Sequence, residues 1–476
     1  MDIDKNEKFS EWYSQVLFEA EIVDIRYPIK GMPVYLPYGF KIITNMFDNL
    51  EDKLEKTEHQ KVLFPVAIPE SIFSKESEHI KGFEGEVLWI TKGGKSELDE
   101  KLIMRPTSET AMYPMFSLWI RTHADFPLKI HQTTTIYRHE TKATRPLLRG
   151  REIFWNEAHT ANATFEGAAE SVNEGAGVYA AFFDDMCMPY FIHKRPDHDK
   201  FAGAAYTYAF DAIMPDHKCL QSGTVHNLGE NFSKAYDVKY SDENGESKYA
   251  NLASYGISMR ATAGLIGIHG DNKGLILPFK VAPVQFIVIP IYSKENKEII
   301  DENVDGIVDL LKEKYTIKVD KGNKRPGEKF YFWELKGVPL RIELGARDIE
   351  AGNVSIVTRL GDKFTIKRED MEKEIPKIIE EYTNKLKERA VKIRDEKVFD
   401  YNSMDELKKH AENNERGIVK VGWCGLMECA EKIEEYLDIL GERVYYEDGK
   451  VKEKRVKRKC IVCDKEGYEV SLGKPY

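Results

Sequence analysis

Two clusters, Arg105-Pro106-Thr107-Ser108-Glu109-Thr110 and Tyr137-Arg138-His139-Glu140, stand close together between Met104 and Thr160. A loop carrying Lys142, Arg145, Arg149 and Arg151 comes next, and then Phe154-Trp155-Asn156-Glu157-Ala158-His159. A planar guanidinium such as that of Arg138 can grip a phosphate and a carboxylate together in fixed geometry. Glu140 is two residues on, so a continuing strand would aim it to the same face. A carboxylate in that place is repelled by phosphate unless it accepts from an amino group or meets a metal. The alternative is a surface hairpin whose charges are simply solvated.

These side chains need a frame. Ile130 to Tyr137 contains five β-branched residues, Ile130, Thr133, Thr134, Thr135 and Ile136, which predicts a strand. Ile153 to Thr160 predicts a second. The loop between them holds Pro146 and Gly150, so the pair reads as an antiparallel hairpin with a long basic tip. Upstream, residues 8–20 have helical periodicity. Gly39 to Lys56 is an amphipathic helix with Ile42, Met46, Leu50 and Leu54 on one face. Val62 to Pro65 is expected as a strand closing on proline. Downstream, Ala168 to Met188 predicts a helix, Cys219 to Gly229 a polar turn feeding a strand, and Tyr255 to Arg260 a strand entering a helix.

At 476 residues the chain is long enough for two to four domains. Its 42% hydrophobic and 32% charged content is that of a soluble protein rich in Lys and Glu. The net charge of −10 excludes a uniformly basic surface but leaves local nucleic-acid patches open. The opening residues are already charged, unlike a secretory signal, and Phe286 to Tyr292 is too short to span a bilayer. Six cysteines in a chain this long do not make a disulfide scaffold. A cytoplasmic enzyme is the expectation. Gly93-Gly94-Lys95-Ser96 lacks the first glycine of a phosphate loop, because Trp89 stands there.

Pro278 and Pro283 mark a boundary, after which strands alternate with helices. Phe286 to Ile291, Thr316 to Val319, Val338 to Leu344 and Val354 to Arg359 are expected strands. Asn303 to Tyr315 and Met371 to Arg394 are expected helices. Glu334, Arg341 and Arg347 could read bases, since Arg can take guanine O6 and N7 and Glu can accept from base amino groups. Solvated strand-edge charges are the other reading. Near the end, Cys424-x4-Cys429 and Cys460-x2-Cys463 form two pairs with 30 residues between them. That spacing suits a closed tetrahedral zinc site, with four buried thiols as the alternative. The run Val451 to Cys460 has six basic residues against Glu453 and could meet a nucleic-acid backbone.

Tyr137-Arg138-His139-Glu140, with its basic loop and following strand, resembles motif 2 of the class II aminoacyl-tRNA synthetases. Residues 39–65 resemble motif 1 and residues 255–267 motif 3. Arg105 to Thr110 is similar to the amino-acid loop of the prolyl-tRNA synthetases, and the cysteine tail fits their archaeal and eukaryotic-like branch. The resemblance implies an α+β multidomain chain: an antiparallel-sheet catalytic domain over 1–282, an α/β anticodon-binding domain over 283–395, and a small α/β zinc domain over 396–476. It implies ATP-dependent formation of prolyl-adenylate, then transfer to the 3′ end of tRNA(Pro), by a homodimer. A pocket for a small ring discriminates by about 1–3 kcal/mol per methylene, so misactivation of alanine or cysteine is expected.

Residue by residue, the resemblance implies that Arg138 bridges substrate carboxylate and α-phosphate. Arg149, beside Gly150, and Arg260, after Ser258, would hold the outer phosphates. Glu140 would accept from adenine. Thr107 and Glu109, flanking Ser108, would take the proline nitrogen, and Trp155, Glu157, His159 and His226 would shape the ring pocket. Gln221 and Thr224 would sit at ATP, with Gln221 on Mg²⁺. Glu334, Arg341 and Arg347 would contact the anticodon, and Cys424, Cys429, Cys460 and Cys463 would hold Zn²⁺. Many relatives stack Phe on adenine where this chain has Ile153, so Ile153 is expected to pack there with Arg260 on the opposite face. Only 60 residues separate Thr160 from Gln221, which leaves no room for the editing insertion of bacterial-type enzymes.

Overall fold

The two strands of the basic hairpin lie inside a large, almost wholly antiparallel sheet. The computed structural model describes residues 3–75, 85–292, 296–413 and 415–476. Helix α1 spans Pro37–Lys56 and helix α2 spans Glu109–Trp119. The hairpin strands are β1 (Leu128–Tyr137) and β2 (Glu152–Asn162), paired so that Ile136 faces Ile153 and Gln132 faces Glu157. Helix α3 (Phe165–Asp185) follows, then β3 (Phe191–Lys194), β4 (Tyr206–Ile213), β5 (Cys219–Gly229), β6 (Asn251–Ser258) and helix α4 (Arg260–His269). In space the strands run β3-β4-β5-β6-β2-β1.

Alternation along these strands divides the residues between two faces. Phe154 points toward α1, where its ring meets Phe40 and Phe47 at 5.8 and 5.2 Å. The stripe Ile42, Ile43, Met46, Phe47 and Leu50 of α1 is buried in the same core as Tyr179, Phe182 and Phe183 of α3 and Leu265 of α4. Burying such a face stabilises by about 25 cal/mol per Å² of apolar area removed from water. The opposite face of the sheet carries Ile153, Trp155, Glu157 and His159 and is left as the floor of a cavity.

The second sheet holds β7 (Phe286–Ile291) and β8 (Leu340–Gly345), parallel to one another, with Ile317–Val319, Asn353–Thr358 and Lys363–Lys367 alongside. The helix expected from Asn303 begins earlier and spans Lys297–Leu311, because its apolar stripe starts at Ile300. Helix α5 (Met371–Asp395) packs Ile375, Ile378, Tyr382 and Leu386 into this core.

The C-terminal region comprises β9 (Ile418–Trp423), α6 (Met427–Glu434), β10 (Asp438–Glu447) and β11 (Glu466–Gly473). It continues the first sheet: β10 pairs antiparallel with β3, Arg443 opposite His193.

Around the basic hairpin two expectations change. Val62 to Pro65 is not a strand; pairing stops at Gln60–Lys61, and the Phe64 N–H donates to the Gln132 side chain at 2.9 Å. β1 ends at Tyr137, and the Glu140 N–H donates to the Arg138 carbonyl at 2.8 Å. This tight turn removes the strand alternation assumed for Arg138 and Glu140. Gly94-Lys95 is a hairpin turn between Leu88–Gly93 and Ser96–Met104, with Gly94 at φ +62°.

Candidate active site

The cavity over β1–β6 has a volume of about 330 Å³. Thr107, Glu109, Arg138, Trp155, Glu157, His159, Gln221, Thr224, His226, Ser258 and Arg260 all line it, as does Ile153. Ser108 lies beneath it and is fully buried. Glu140, Arg149 and Gly150 are not among its lining and stand on the basic loop beyond.

One end is acidic and tightly wired. The Ser108 hydroxyl donates to Glu157 at 2.5 Å, its N–H donates to the other carboxylate oxygen at 3.2 Å, and Gln132 Nε2 donates at 2.8 Å. His159 Nε2 lies 3.2 Å from Glu157, and its Nδ1 lies 3.0 Å from the Tyr113 hydroxyl. Burial opposes the Glu157 charge, but the hydrogen bonds outweigh it and hold the carboxyl below its usual range. Burial also opposes an imidazolium at His159, yet Glu157 and Glu109 raise its affinity for a proton. The Thr107 hydroxyl donates to Glu109. Ser108 is the residue before the first turn of α2, so both Thr107 and Glu109 are fixed by a helix start.

The other end is basic. Arg138 Nε donates to the Pro106 carbonyl at 3.2 Å, which ties the motif after β1 to the loop before α2. Arg260 opens α4 and donates from Nε to the Leu148 carbonyl at 3.1 Å. Burial, with Arg138 and Arg149 nearby, lowers the Arg260 pKa to about 10. Like charges gathered this closely favour an anion between them. Arg149 reaches Glu140 at 3.7 Å and the main-chain oxygen of Tyr476 at 2.9 Å.

The third wall is β4 and β5. His226 is held from both sides, Nδ1 by Thr207 and Nε2 by Thr224, each at 2.9 Å. The Phe201 ring lies 4.6 Å from it. Burial, with His159 as a lesser cause, drops the His226 pKa to about 3, so it is neutral at pH 7. A bulge at Ser222 shifts the register between Phe210–Gly223 and Asp211–Gln221. Strict alternation would put Gln221 and Thr224 on opposite faces; the extra residue brings both to the cavity.

Sequence reasoning passed over Arg195, Asp199, Phe201 and Thr207, which also line the cavity. Arg195 is 7% exposed and grips Asp211 with both Nη atoms, at 2.9 and 2.8 Å. Burial opposes ionisation of Asp211, but Arg195 and His193 hold its pKa at about 2. Nothing in the local pattern around Lys194-Arg195-Pro196 marks it. The cavity has Glu109 and Glu157 at one end and the Arg138 and Arg260 guanidiniums at the other, with Arg195 and Asp199 on the wall between. It can orient a zwitterion against a polyanion and stabilise charge developing between them.

Of the expected base-reading charges, Arg341 sits on the second sheet, Glu334 on the helix Pro326–Leu335 and Arg347 on the short helix Ala346–Glu350. Arg341 is on β8, which is flanked on both sides, so it is not a strand-edge charge. Its guanidinium meets Glu343 at 2.9 Å and Glu334 at 3.4 Å and lies 4.1 Å over Phe330. Arg347 is exposed. Much of the basic run is neutralised: Lys452 pairs with Asp448, Lys454 with Glu447, Arg455 with Glu442 and Arg458 with Asp400.

Cys424, Cys429, Cys460 and Cys463 converge from the end of β9, from α6 and from the turn before β11, with all sulfurs within 4.8 Å of one another. Cys424 and Cys463 Sγ are 3.7 Å apart and unbonded. Four thiolates around zinc at about 2.3 Å would stand about 3.8 Å from one another, so the residues fit that ion. Among the described residues no helix is long and apolar enough to cross a membrane.

Residues 89–268 match the class II tRNA synthetase core domain (G, H, P, S and T), and residues 285–378 match an anticodon-binding domain. Fold and site together define a class II aminoacyl-tRNA synthetase. The proline–tRNA ligase of Methanopyrus kandleri is 47% identical over 98% of this chain and 96% of its own, and that of Pyrococcus abyssi is 46% identical over 97% and 96%. The Giardia lamblia prolyl-tRNA synthetase in complex with prolyl-adenylate superposes with a TM-score of 0.93 at 37% identity, covering 100% of this chain and 99% of its own. The chain belongs to the proline–tRNA ligases.

Proposed function

We propose that the chain joins proline to tRNA(Pro) in two steps at this cavity, with each residue in the role its position supports. A proline carboxylate oxygen attacks the α-phosphorus of ATP; the bond to the bridging oxygen breaks and pyrophosphate leaves. The 3′-terminal hydroxyl of the tRNA then attacks the prolyl carbonyl and AMP leaves. The observation that carries this reading is the polarity of the cavity: Thr107, Glu109 and Glu157 at one end and Arg138 and Arg260 at the other.

The proline nitrogen is held by Thr107 and Glu109, with Ser108 bracing Glu157 behind them. Trp155, His159 and His226 enclose the ring, and neutral His226 adds no repulsion to the prolinium charge. Arg138 bridges carboxylate and α-phosphate. Ile153 and Arg260 take the two faces of adenine, and Glu140 accepts from its amino group. Arg149, with Gly150 at its side, and Arg260 hold the outer phosphates, while Ser258 orients the start of α4. Gln221 and Thr224 would hold Mg²⁺ with the phosphates, and the ion would neutralise their charge. Alanine and cysteine are small enough to be misactivated.

Glu334, Arg341 and Arg347 read the anticodon. The four cysteines hold one structural Zn²⁺. The chain divides into catalytic (1–282), anticodon-binding (283–395) and zinc-binding (396–476) domains and works in the cytoplasm, where free thiols persist. It acts as a homodimer; Leu63, Leu118 and Trp119 are exposed beside the motif 1 segment and would be covered by a second copy.

Amino-acid-dependent ATP–pyrophosphate exchange, with each amino acid supplied singly, tests the reading. Strong exchange with proline is expected. Exchange with threonine or histidine alone would move the substrate to a sister enzyme, and none at all would overturn the catalytic roles.

A further inference from the structure

We infer that Arg195 is a positioning residue for the adenylation step: it orients the Gln221 side chain and locks that orientation to the C-terminal region. This rests on the reading that Gln221 works on the phosphate and metal side of ATP.

Gln221 is the most exposed residue of the β5 stretch that lines the cavity, and a side chain amide in such a place samples several rotamers. Its Oε1 accepts from Arg195 Nη2 at 3.0 Å. A guanidinium has donors only, so the amide atom facing it must be the oxygen. The orientation of the amide is thereby set before any ligand arrives. Preorganised polar groups are worth more in catalysis than ones that must reorient during the step.

Arg195 itself has no freedom. Asp211, directly opposite Gln221 across β4 and β5, takes both of its Nη atoms. Nη1 also donates to the Leu440 carbonyl of β10 at 2.7 Å. Nε faces Asp199 at 3.4 Å. Next to Asp199, His198 meets Glu434 at 3.0 Å, on the helix that carries Cys429. Two groups from the C-terminal region, Leu440 and Glu434, thus hold the segment that aims Gln221. A lysine at 195 could keep the charge beside Asp211 but could not span Asp211, Gln221 and Leu440 at once.

The test is a double-mutant cycle on the full chain with Arg195→Lys and Gln221→Ala, read by pyrophosphate exchange against ATP, Mg²⁺ and proline. Arg195→Lys should raise the KM for ATP and the Mg²⁺ midpoint about tenfold, leave the KM for proline within about twofold, and add nothing further in the Gln221→Ala background. Equal shifts in the ATP and proline constants, or a full additional loss on top of Gln221→Ala, would overturn the inference. If Gln221→Ala alone leaves ATP and Mg²⁺ dependence unchanged while exchange persists, the underlying reading of Gln221 fails and the inference with it. Should Arg195→Lys lose cooperative unfolding, Arg195→Gln with Asp211→Asn removes the buried charges together, and the same selective shift is required.

Discussion

Arg149 donates to the main-chain oxygen of Tyr476 at 2.9 Å, which ties the basic loop to a residue 327 positions later. Tyr476 is anchored in turn. Its hydroxyl donates to Asp216 at 2.6 Å, its N–H donates to the Cys219 carbonyl at 3.2 Å, and Lys218 lies 5.1 Å over its ring. Tyr476→Ala keeps the main-chain oxygen but loses the anchor. The KM for ATP should rise several-fold, on the order of 1 kcal/mol, with the KM for proline unchanged. Steady-state exchange kinetics check this.

Glu157→Gln strikes the acidic end. The amide can no longer accept from Ser108, Gln132 and His159 together, because half of it becomes a donor. The KM for proline should rise tenfold or more, about 1.4 kcal/mol at least, while the KM for ATP moves little. Equal effects on both substrates would mean general damage to the fold.

The outline of the fold was legible because periodicity reports it directly. Ile153 and Phe154 show this well: strand alternation sends the two neighbours to opposite faces, and the structure has Ile153 at the cavity and Phe154 against α1. Other features left no local signal. A bulge at Ser222 is invisible in Gln221-Ser222-Gly223-Thr224, yet it decides that Gln221 and Thr224 share a face. Helix α2 was missed because Pro114 interrupts its pattern, although Ser108 to Thr110 had been singled out for chemistry. Arg195 could be found only through Asp211, Gln221 and Leu440, which are distant in sequence and adjacent in space. The turn after Tyr137 separated Glu140 from the strand because its N–H found the Arg138 carbonyl first.

Acid should destabilise the chain well above the carboxylate range. Burial holds His59, His226 and His269 at pKa values of about 3, against about 6.5 unfolded. Each is neutral when folded, so the unfolded chain binds more protons below pH 6.5. Their contribution is fully present above that pH and is lost as pH falls toward 3. At pH 5 the loss is on the order of 1–2 kcal/mol per histidine, and Tm should drop by several degrees between pH 7 and pH 5. A flat thermal melting profile across that window would contradict this.

Metal analysis should find one zinc per chain. Cys460→Ser removes a thiolate from the four-cysteine cluster, and Cys460 is fully buried. It should lower Tm and release the metal to a chelator, because binding energy at such a site is folding energy. An unchanged Tm with no zinc in the wild type would leave four thiols and no metal.

Arg341→Ala should separate charging from activation. With the guanidinium gone from between Glu343 of β8 and Glu334 of the neighbouring helix, the kcat/KM for tRNA should fall by at least tenfold, the loss expected of a base-reading arginine worth about 1–3 kcal/mol. Proline-dependent exchange without tRNA should be unchanged.

The pairing of β3 with β10 also has a consequence for synthesis. While the ribosome is still making the chain, β1 to β6 can assemble, but the outer edge of β3 has no neighbour until Glu442–Val444 emerge. An open strand edge invites pairing with any other extended segment nearby. The nascent catalytic sheet is therefore exposed for the whole time that the second sheet is being translated. Late, non-local closure of this kind slows folding. The vulnerable interval ends only when the cysteine-bearing region arrives to seal that edge, so premature termination anywhere before Asp438 would leave a sticky product as well as an inactive one.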